Sequence, residues 1–267
     1  TAQAAAFLLS DHASGMTAQQ TNVDNISHNL ANANTTGFKM RRAQFQDLLY
    51  QNVIQPGSSA NAQAFVPTGL QIGLGTRAIS NEIIFSQGNF TLTSNPYDLV
   101  IEGNGFFSVR QANGQLAFTR AGNFHLDQDG RMVTADGNQV DPPITLPPEA
   151  QNVRIAPDGT VTYTVPGQSN SQQAGQFLLA IFQNPAGLSS LGKNLLLPTD
   201  ASGQPTLAVP GGPEGAGTLL QGYLEQSNVS LVEEFVSLIT SQRAYEANAK
   251  VIRAADEMYQ QLNNLAR

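Results

Sequence analysis

The chain has 267 residues, 40% of them hydrophobic and only 12% charged, about half the roughly 25% charged share usual in globular proteins. Its net charge of -7, with Lys39, Arg41 and Arg42 as the only dense basic cluster, argues against a nucleic-acid partner. The absence of cysteine excludes a disulfide framework, a thiol nucleophile and cysteine zinc sites, and no run approaches the roughly 20 apolar residues of a membrane span.

The short run Ala4 to Leu9 lacks a basic leader and a cleavage site, so no secretory signal is expected and work outside the cytoplasm would need another export route. A first helix is expected to start near residue 4. Leu9, Ala13, Met16, Val23, Ile26, Leu30 and Ala33 keep one helical phase, with Gln20 as a polar interruption, and such a stripe must be buried on something. The helix is expected to stop at Asn34-Thr35-Thr36-Gly37, with Gly37 in the left-handed cap and Phe38 packing back. Arg42 to Tyr50 reads as either helical or extended, and Pro56-Gly57-Ser58-Ser59 then breaks the pattern. From Phe65 to Phe90 glycines alternate with apolar residues, which predicts extended segments of uncertain register.

Residues 97–222 read as a β domain. Leu99-Val100-Ile101 and Phe106 to Val109 are strand candidates, and Asn113-Gly114, Asp129-Gly130, Asp136-Gly137 and Asp158-Gly159 are hairpin turns flanked by apolar residues. The apolar run Phe177 to Phe182 fits a central strand, and Pro198 to Gly217 a surface loop. A last helix is expected from near Ser227-Asn228. Ser230 and Glu233 have capping-box spacing, and Glu233 and Glu234 suit the positive helix end. Phe235, Ile239, Tyr245, Ala249, Ile252, Ala255, Tyr259 and Leu262 continue its apolar positions. The helix could extend about 55–60 Å at 1.5 Å per residue, longer than a typical globular helix. Terminal stripes of this length imply that other copies supply the partner surface.

No catalytic constellation, metal site or cofactor is expected. His12 and His28 lie too far apart on one helix to share a metal, and His125 falls in a strand. Asp127-Gln128-Asp129-Gly130 opens like a calcium loop, yet Arg131-Met132-Val133 resumes a strand, so a hairpin turn explains it. Gly69 to Gly75 lacks the Gly-Lys-Ser/Thr of a phosphate loop. Asp98 and Glu102 on one strand would stand about 13 Å apart, beyond the roughly 6.5–9.5 Å of an inverting hydrolase. Tyr97, Phe106 and Phe107 near turns leave one alternative, a glycan-binding β module on a helical stalk.

Four blocks resemble the axial proteins of the bacterial flagellum, rod and hook. The first runs from Gln19 to Asn32, including Asn29, Leu30, Ala31 and Asn32, and continues through Thr36, Gly37, Phe38 and Lys39. The second is Ser86-Gln87-Gly88-Asn89-Phe90 with Asp98 to Phe107, and the third Phe118 to Phe124. The fourth is Gly222 to Val229, leading into Gln242-Arg243-Ala244-Tyr245-Glu246. Within the family, the segment through Tyr50, Pro56 and Gly57 to Gly69, Leu70, Ile72 and Gly73 resembles the distal rod branch; hook members are expected to lack it and proximal rod members to diverge.

The resemblance implies an α+β fold in four parts. Residues 1–33 and 223–267 would be helices paired as an inner coiled-coil layer, 34–96 a connecting segment with a rod-type extended insertion at about 50–75, and 97–222 an outer, mainly antiparallel β domain. It implies a structural, non-enzymatic subunit that polymerises helically into a hollow, stiff drive shaft crossing the periplasm in the basal body, with a proximal rod or hook subunit as the alternative within the family. Leu9, Met16, Val23, Ile26, Leu30, Phe235, Ile239, Tyr245, Ile252, Tyr259 and Leu262 would be its self-assembly residues. Its partners would be further copies, the proximal rod, the hook, the surrounding ring proteins and the flagellar export apparatus, with no nucleic acid and no membrane embedding.

Overall fold

In a computed structural model, residues 2–54, 59–61, 64–65, 68–167 and 170–265 are described. The fold is α+β, with one helix at each end and many antiparallel strands between them. The chain divides into two compact units, 1–30 with 41–82 and 230–267, and 31–40 with 83–229.

The first unit holds α1 (Ala2–Ala31), β1 (Arg41–Asp47), β2 (Tyr50–Ile54), β3 (Ser59–Asn61), β4 (Ala64–Phe65), β5 (Leu70–Gly73), β6 (Thr76–Ile83) and α2 (Leu231–Leu265). The stretch left open between helix and strand is therefore extended. β1 pairs with β6, β3 with β4, and β2 with β5, the last with Tyr50 opposite Gly73 and Gln51 opposite Ile72. α1 ends at Ala31, so Ala33 lies past its end. α2 begins one residue after Ser230, whose carbonyl accepts the N–H of Glu234 at 3.0 Å. Glu233 and Glu234 sit in its first turn, where carboxylates complement the helix dipole.

The second unit runs β7 (Phe90–Leu92), β8 (Leu99–Glu102), β9 (Phe106–Arg110), β10 (Leu116–Thr119), β11 (Phe124–Leu126), β12 (Met132–Thr134), β13 (Gln139–Val140), β14 (Gln151–Ile155), β15 (Thr160–Thr164), β16 (Gln172–Gln176), β17 (Leu179–Ile181), β18 (Ser189–Gly192), β19 (Leu195–Leu197), β20 (Thr206–Ala208), β21 (Thr218–Gln221) and β22 (Tyr223–Glu225). All four Asx-Gly turns join consecutive strands, with Gly114, Gly130, Gly137 and Gly159 at positive φ as tight hairpins require. β9 is central: it pairs with β10 along one edge and with β13 and β17 along the other. Its two faces enter different cores because side chains alternate. Phe107 and Val109 pack with Phe124, Met132, Ile144 and Phe177, whereas Phe106 joins Phe118 and Phe182. The rings meet edge-on, Phe107 with Phe124 at 5.1 Å and Phe118 with Phe182 at 4.9 Å between centroids, an arrangement aromatic quadrupoles favour.

Two expectations change here. The Pro198 to Gly217 stretch is not all loop, because β20 pairs with β17 and Ala208 is buried opposite Leu179. Gly37 has φ +70°, as expected, but it is no helix cap: α1 stops six residues earlier, and the Gly37 N–H donates to the carbonyl of Glu225 at 2.8 Å. Gly122 is required for closeness rather than conformation. A Cβ there would lie 1.8 Å from the carbonyl oxygen of Leu99, so Gly122→Ala is expected to cost at least about 2 kcal/mol by overpacking, measured by urea unfolding.

Candidate functional site

Four arrangements stand out, three in the first unit and one in the second. Along the facing sides of α1 and α2, polar residues meet in a regular ladder. Asn29 Nδ2 donates to Glu234 Oε1 at 3.4 Å, and Asn22 Nδ2 to Ser241 Oγ at 2.8 Å. A Cβ on Gly15 would approach Asn248 Nδ2 to 3.2 Å. The residues are seven apart on each helix and run in opposite directions, so the helices are antiparallel and the ladder stays on one face, since seven residues make about two turns. Strands hold the adjacent side of α1. Ser14 Oγ accepts the Thr76 N–H, Asn25 Oδ1 accepts from Asn81, and Asn29 grips the main chain of Arg41 with both amide atoms at 2.8 Å. Ala18 and Ile26 are buried beside these polar groups, whereas Met16, Val23 and Leu30 are half-buried.

The opposite side of α2 is different. At about 100° per residue, Val232, Phe235, Val236 and Ile239 fall in an arc of roughly 100° facing away from Glu234, Ser241 and Asn248. All four are about half exposed or more, from 49% for Phe235 to 73% for Val232. Further along, the same side carries exposed Arg243, Glu246, Lys250, Arg253 and Glu257. Tyr245 is exposed and Ile252 half-buried, while the side chains of Leu9, Tyr259 and Leu262 lie outside the described residues. A second exposed apolar surface is the β2–β5 ribbon. Leu49, Tyr50, Val53, Leu70 and Ile72 are all exposed there, within a stretch, 48–76, that contains no charged residue. The Tyr50 ring covers Gly73, 3.4 Å from where a Cβ would be. Gly69 is half-buried, and Pro56 and Gly57 lie outside the described residues.

In the second unit, the motif residues Gly37, Phe38 and Lys39 are all buried, Thr36 and Asn32 half-buried. Lys39 Nζ meets Glu225 Oε1 at 2.6 Å and Arg120 Nε meets Glu225 Oε2 at 3.2 Å, every side chain at least 94% buried. Lys39 also donates to the Ser86 carbonyl, Arg120 to those of Gly103 and Gly105, and the Gly88 N–H to Glu225. Burial lowers the affinity of Lys39 for its proton, opposed by the Glu225 charge, and lowers that of Arg120 in the same way. Asn228, expected near the start of the last helix, instead accepts the Met40 N–H and donates to the Ile84 carbonyl. Glu225 and Asn228 thus gather backbone from two separate stretches, at Met40 and at Ile84 to Gly88, and Arg120 ties in a third at Gly103 and Gly105.

Other candidates dissolve on inspection. Phe106 and Phe107 are buried and Tyr97 packs on the core, which leaves no aromatic platform for a glycan among them. Asp127 accepts the N–H groups of Arg131 and Asp129, which hold its carboxyl below the usual range and close a hairpin. Among the described residues no cluster of three metal-ligating side chains exists, and no helix is long and apolar enough to cross a membrane. Sequence reasoning missed Asn22, Asn25 and Ser241 and read Glu234 only as a complement to the helix dipole; the seven-residue spacing of Gly15, Asn22 and Asn29 was the available signal.

A chain with a polar ladder between its helices and apolar faces turned outward matches three family descriptions. Residues 9–39 match the flagella basal body rod protein, 100–163 the flagellar hook protein FlgE/F/G D1 domain, and 220–265 the flagellar basal body rod FlgEFG protein C-terminal. The flagellar basal-body rod protein FlgG of Caulobacter vibrioides is 50% identical over 95% of this chain and 97% of its own length. The protein of the same description in Bacillus subtilis is 40% identical over 95% and 97%. A second Bacillus subtilis protein, the flagellar hook-basal body complex protein FlhP, is 29% identical over 92% and 94%. The chain belongs to the flagellar basal-body rod protein family. Within one organism it is nearer to FlgG than to FlhP, so its likeness is to a particular branch of that family.

Proposed function

We propose that the chain is the structural subunit of the flagellar distal rod, located in the rod of the basal body and assembling there with other rod, hook and basal-body proteins. The observation that carries this is 50% identity along nearly the whole length of a FlgG. Expression in a Caulobacter vibrioides strain lacking its own FlgG is expected to restore swimming; a strain that stays non-motile while exporting the protein contradicts it.

In this reading α1 and α2 form an inner coiled-coil layer. The seven-residue ladder supports it, because a seven-residue repeat is the period at which two helices keep one seam in register. Residues 97–222 form the outer layer, and the proximal rod, the hook, the ring proteins and the export apparatus are the neighbours. Leu9, Met16, Val23, Ile26, Leu30, Phe235, Ile239, Tyr245, Ile252, Tyr259 and Leu262 along the helices are the self-assembly residues, with Val232 and Val236 beside Phe235 and Ile239 on the exposed side of α2. Contacts between unlike surfaces, repeated without closure, generate a filament, and the α2 face and the uncharged ribbon are two such surfaces. The ribbon, 50–75, stiffens the shaft by filling space between copies. Its deletion is expected to give a polymer of visibly greater curvature in electron micrographs; unchanged persistence length contradicts the role.

A further inference from the structure

Glu234 carries a chemical mismatch within the ladder. The residue is 92% buried, on the α1-facing side of α2. Its Oε1 receives one long hydrogen bond, 3.4 Å, from Asn29, and its buried Oε2 has no partner. Among the described residues no cation pairs with it. From α1 the residues turned to this region are Asn22, Asn25 and Asn29, all neutral, with His28 on the neighbouring face and kept below its usual pKa by burial and by Arg41. From β1 comes Arg41, whose main chain is held by Asn29, and then Arg42, which pairs with Glu82 of β6. From α2 itself comes Glu233, a like charge.

Asn29 has two amide hydrogens, one directed to the Arg41 carbonyl and one to Glu234, and its Oδ1 accepts only the Arg41 N–H, leaving a second lone pair. An ionised carboxylate here has one long hydrogen bond for its two oxygens and leaves Oε2 desolvated, which is costly for a buried charge. A single proton on Oε2 removes the buried charge, and the neutral acid keeps the Asn29 hydrogen bond at Oε1 without an uncompensated anion between the helices.

We infer that Glu234 is a proton-controlled latch on the α1–α2 pairing: the protonated acid locks the ladder, and ionisation loosens it. Burial and the neighbouring Glu233 raise the pKa of Glu234, opposed by the Asn29 hydrogen bond. The sign follows. An acid whose folded pKa exceeds its unfolded value makes the paired state bind the extra proton. Pairing is then strongest in acid and weakens as pH rises from the ordinary carboxyl value through the raised one. The other two rungs, Asn22 with Ser241 and Gly15 with Asn248, contain no ionisable group, so they set register at every pH.

The absence of cysteine makes the test direct. Spin labels on Thr17→Cys and Glu246→Cys, exposed positions on the two helices, report the helix pair in the full chain by electron–electron distance measurement. In urea at the midpoint of pair opening at pH 7.5, acidification to pH 4.5 is expected to raise the paired-to-open ratio, by up to tenfold per pH unit within the window. Glu234→Gln, a permanent donor of the same shape, is expected to hold the acid-form ratio at both pH values. Glu233→Gln, exposed on the same turn, is expected to keep the titration. A ratio that stays flat in the parent chain, or a Glu234→Gln chain that titrates as the parent does, overturns the latch. Neither outcome depends on whether the chain polymerises.

Discussion

Replacing Glu225 with Gln is expected to cost about 3–5 kcal/mol of stability, because it strips the counterion from two buried cations at once. Lys39 and Arg120 both converge on this carboxylate, at 2.6 and 3.2 Å, and the side chain is 1% exposed. The amide keeps the shape and one acceptor, but its NH2 group would face a donor, whichever way it is turned. Lys39→Met is expected to cost less. It removes one of the two cations and leaves Glu225 paired one-to-one with Arg120, which still holds the carbonyls of Gly103 and Gly105. Urea unfolding followed by aromatic fluorescence and by far-UV circular dichroism gives both values. A loss below about 1 kcal/mol for Glu225→Gln, or a larger loss for Lys39→Met, would show that the cluster is not organised around the carboxylate.

Aspartates at Phe235 and Ile239 are expected to leave the single chain folded yet weaken association at least about 100-fold. Both side chains are about half exposed in the isolated chain, so little native packing is lost, and a carboxylate in the first turns of a helix suits the dipole. In a polymer the same positions would be covered. Fully burying a large apolar side chain is worth roughly 1.5–3 kcal/mol, and a charge placed in that contact would have to be desolvated. A combined loss of about 3 kcal/mol per contact corresponds to about 100-fold in affinity. The charged side of the same helix, with Arg243, Glu246 and Lys250, offers the comparison: exchanging Lys250 for Gln is expected to change association by less than about fivefold, as exposed charges do.

What was legible in the sequence was whatever local chemistry decides. The Asx-Gly turns appeared where they were expected because only glycine takes their positive φ without strain, and the terminal helices followed from their apolar phase. The strand candidates at 99–101 and 106–109 held for a similar reason, short runs buried on both faces and apolar but for Ser108. What was not legible depended on long-range pairing. Gly37 looked like a helix cap because its conformation is that of a cap, but its N–H is taken by Glu225, 188 residues away in sequence. β20 hid among prolines and glycines because its partner, β17, lies 25 residues upstream. Asn22 and Ser241 read as ordinary helix residues and Glu234 only as a complement to the helix dipole, since an apolar stripe gives no sign of polar positions that share its face. The exposed patch on α2 was visible as hydrophobic sequence, but its separation from the α1-facing side needed the rungs at Glu234, Ser241 and Asn248.

The most direct test of a subunit that assembles through its terminal helices is sedimentation velocity over a concentration series, run on the full chain and on the Phe235→Asp, Ile239→Asp chain. The prediction is a weight-average mass that climbs with concentration for the parent and stays at that of one chain for the variant. A parent that remains a single chain at the highest concentration, or a variant that grows in step with the parent, would contradict assembly through that face.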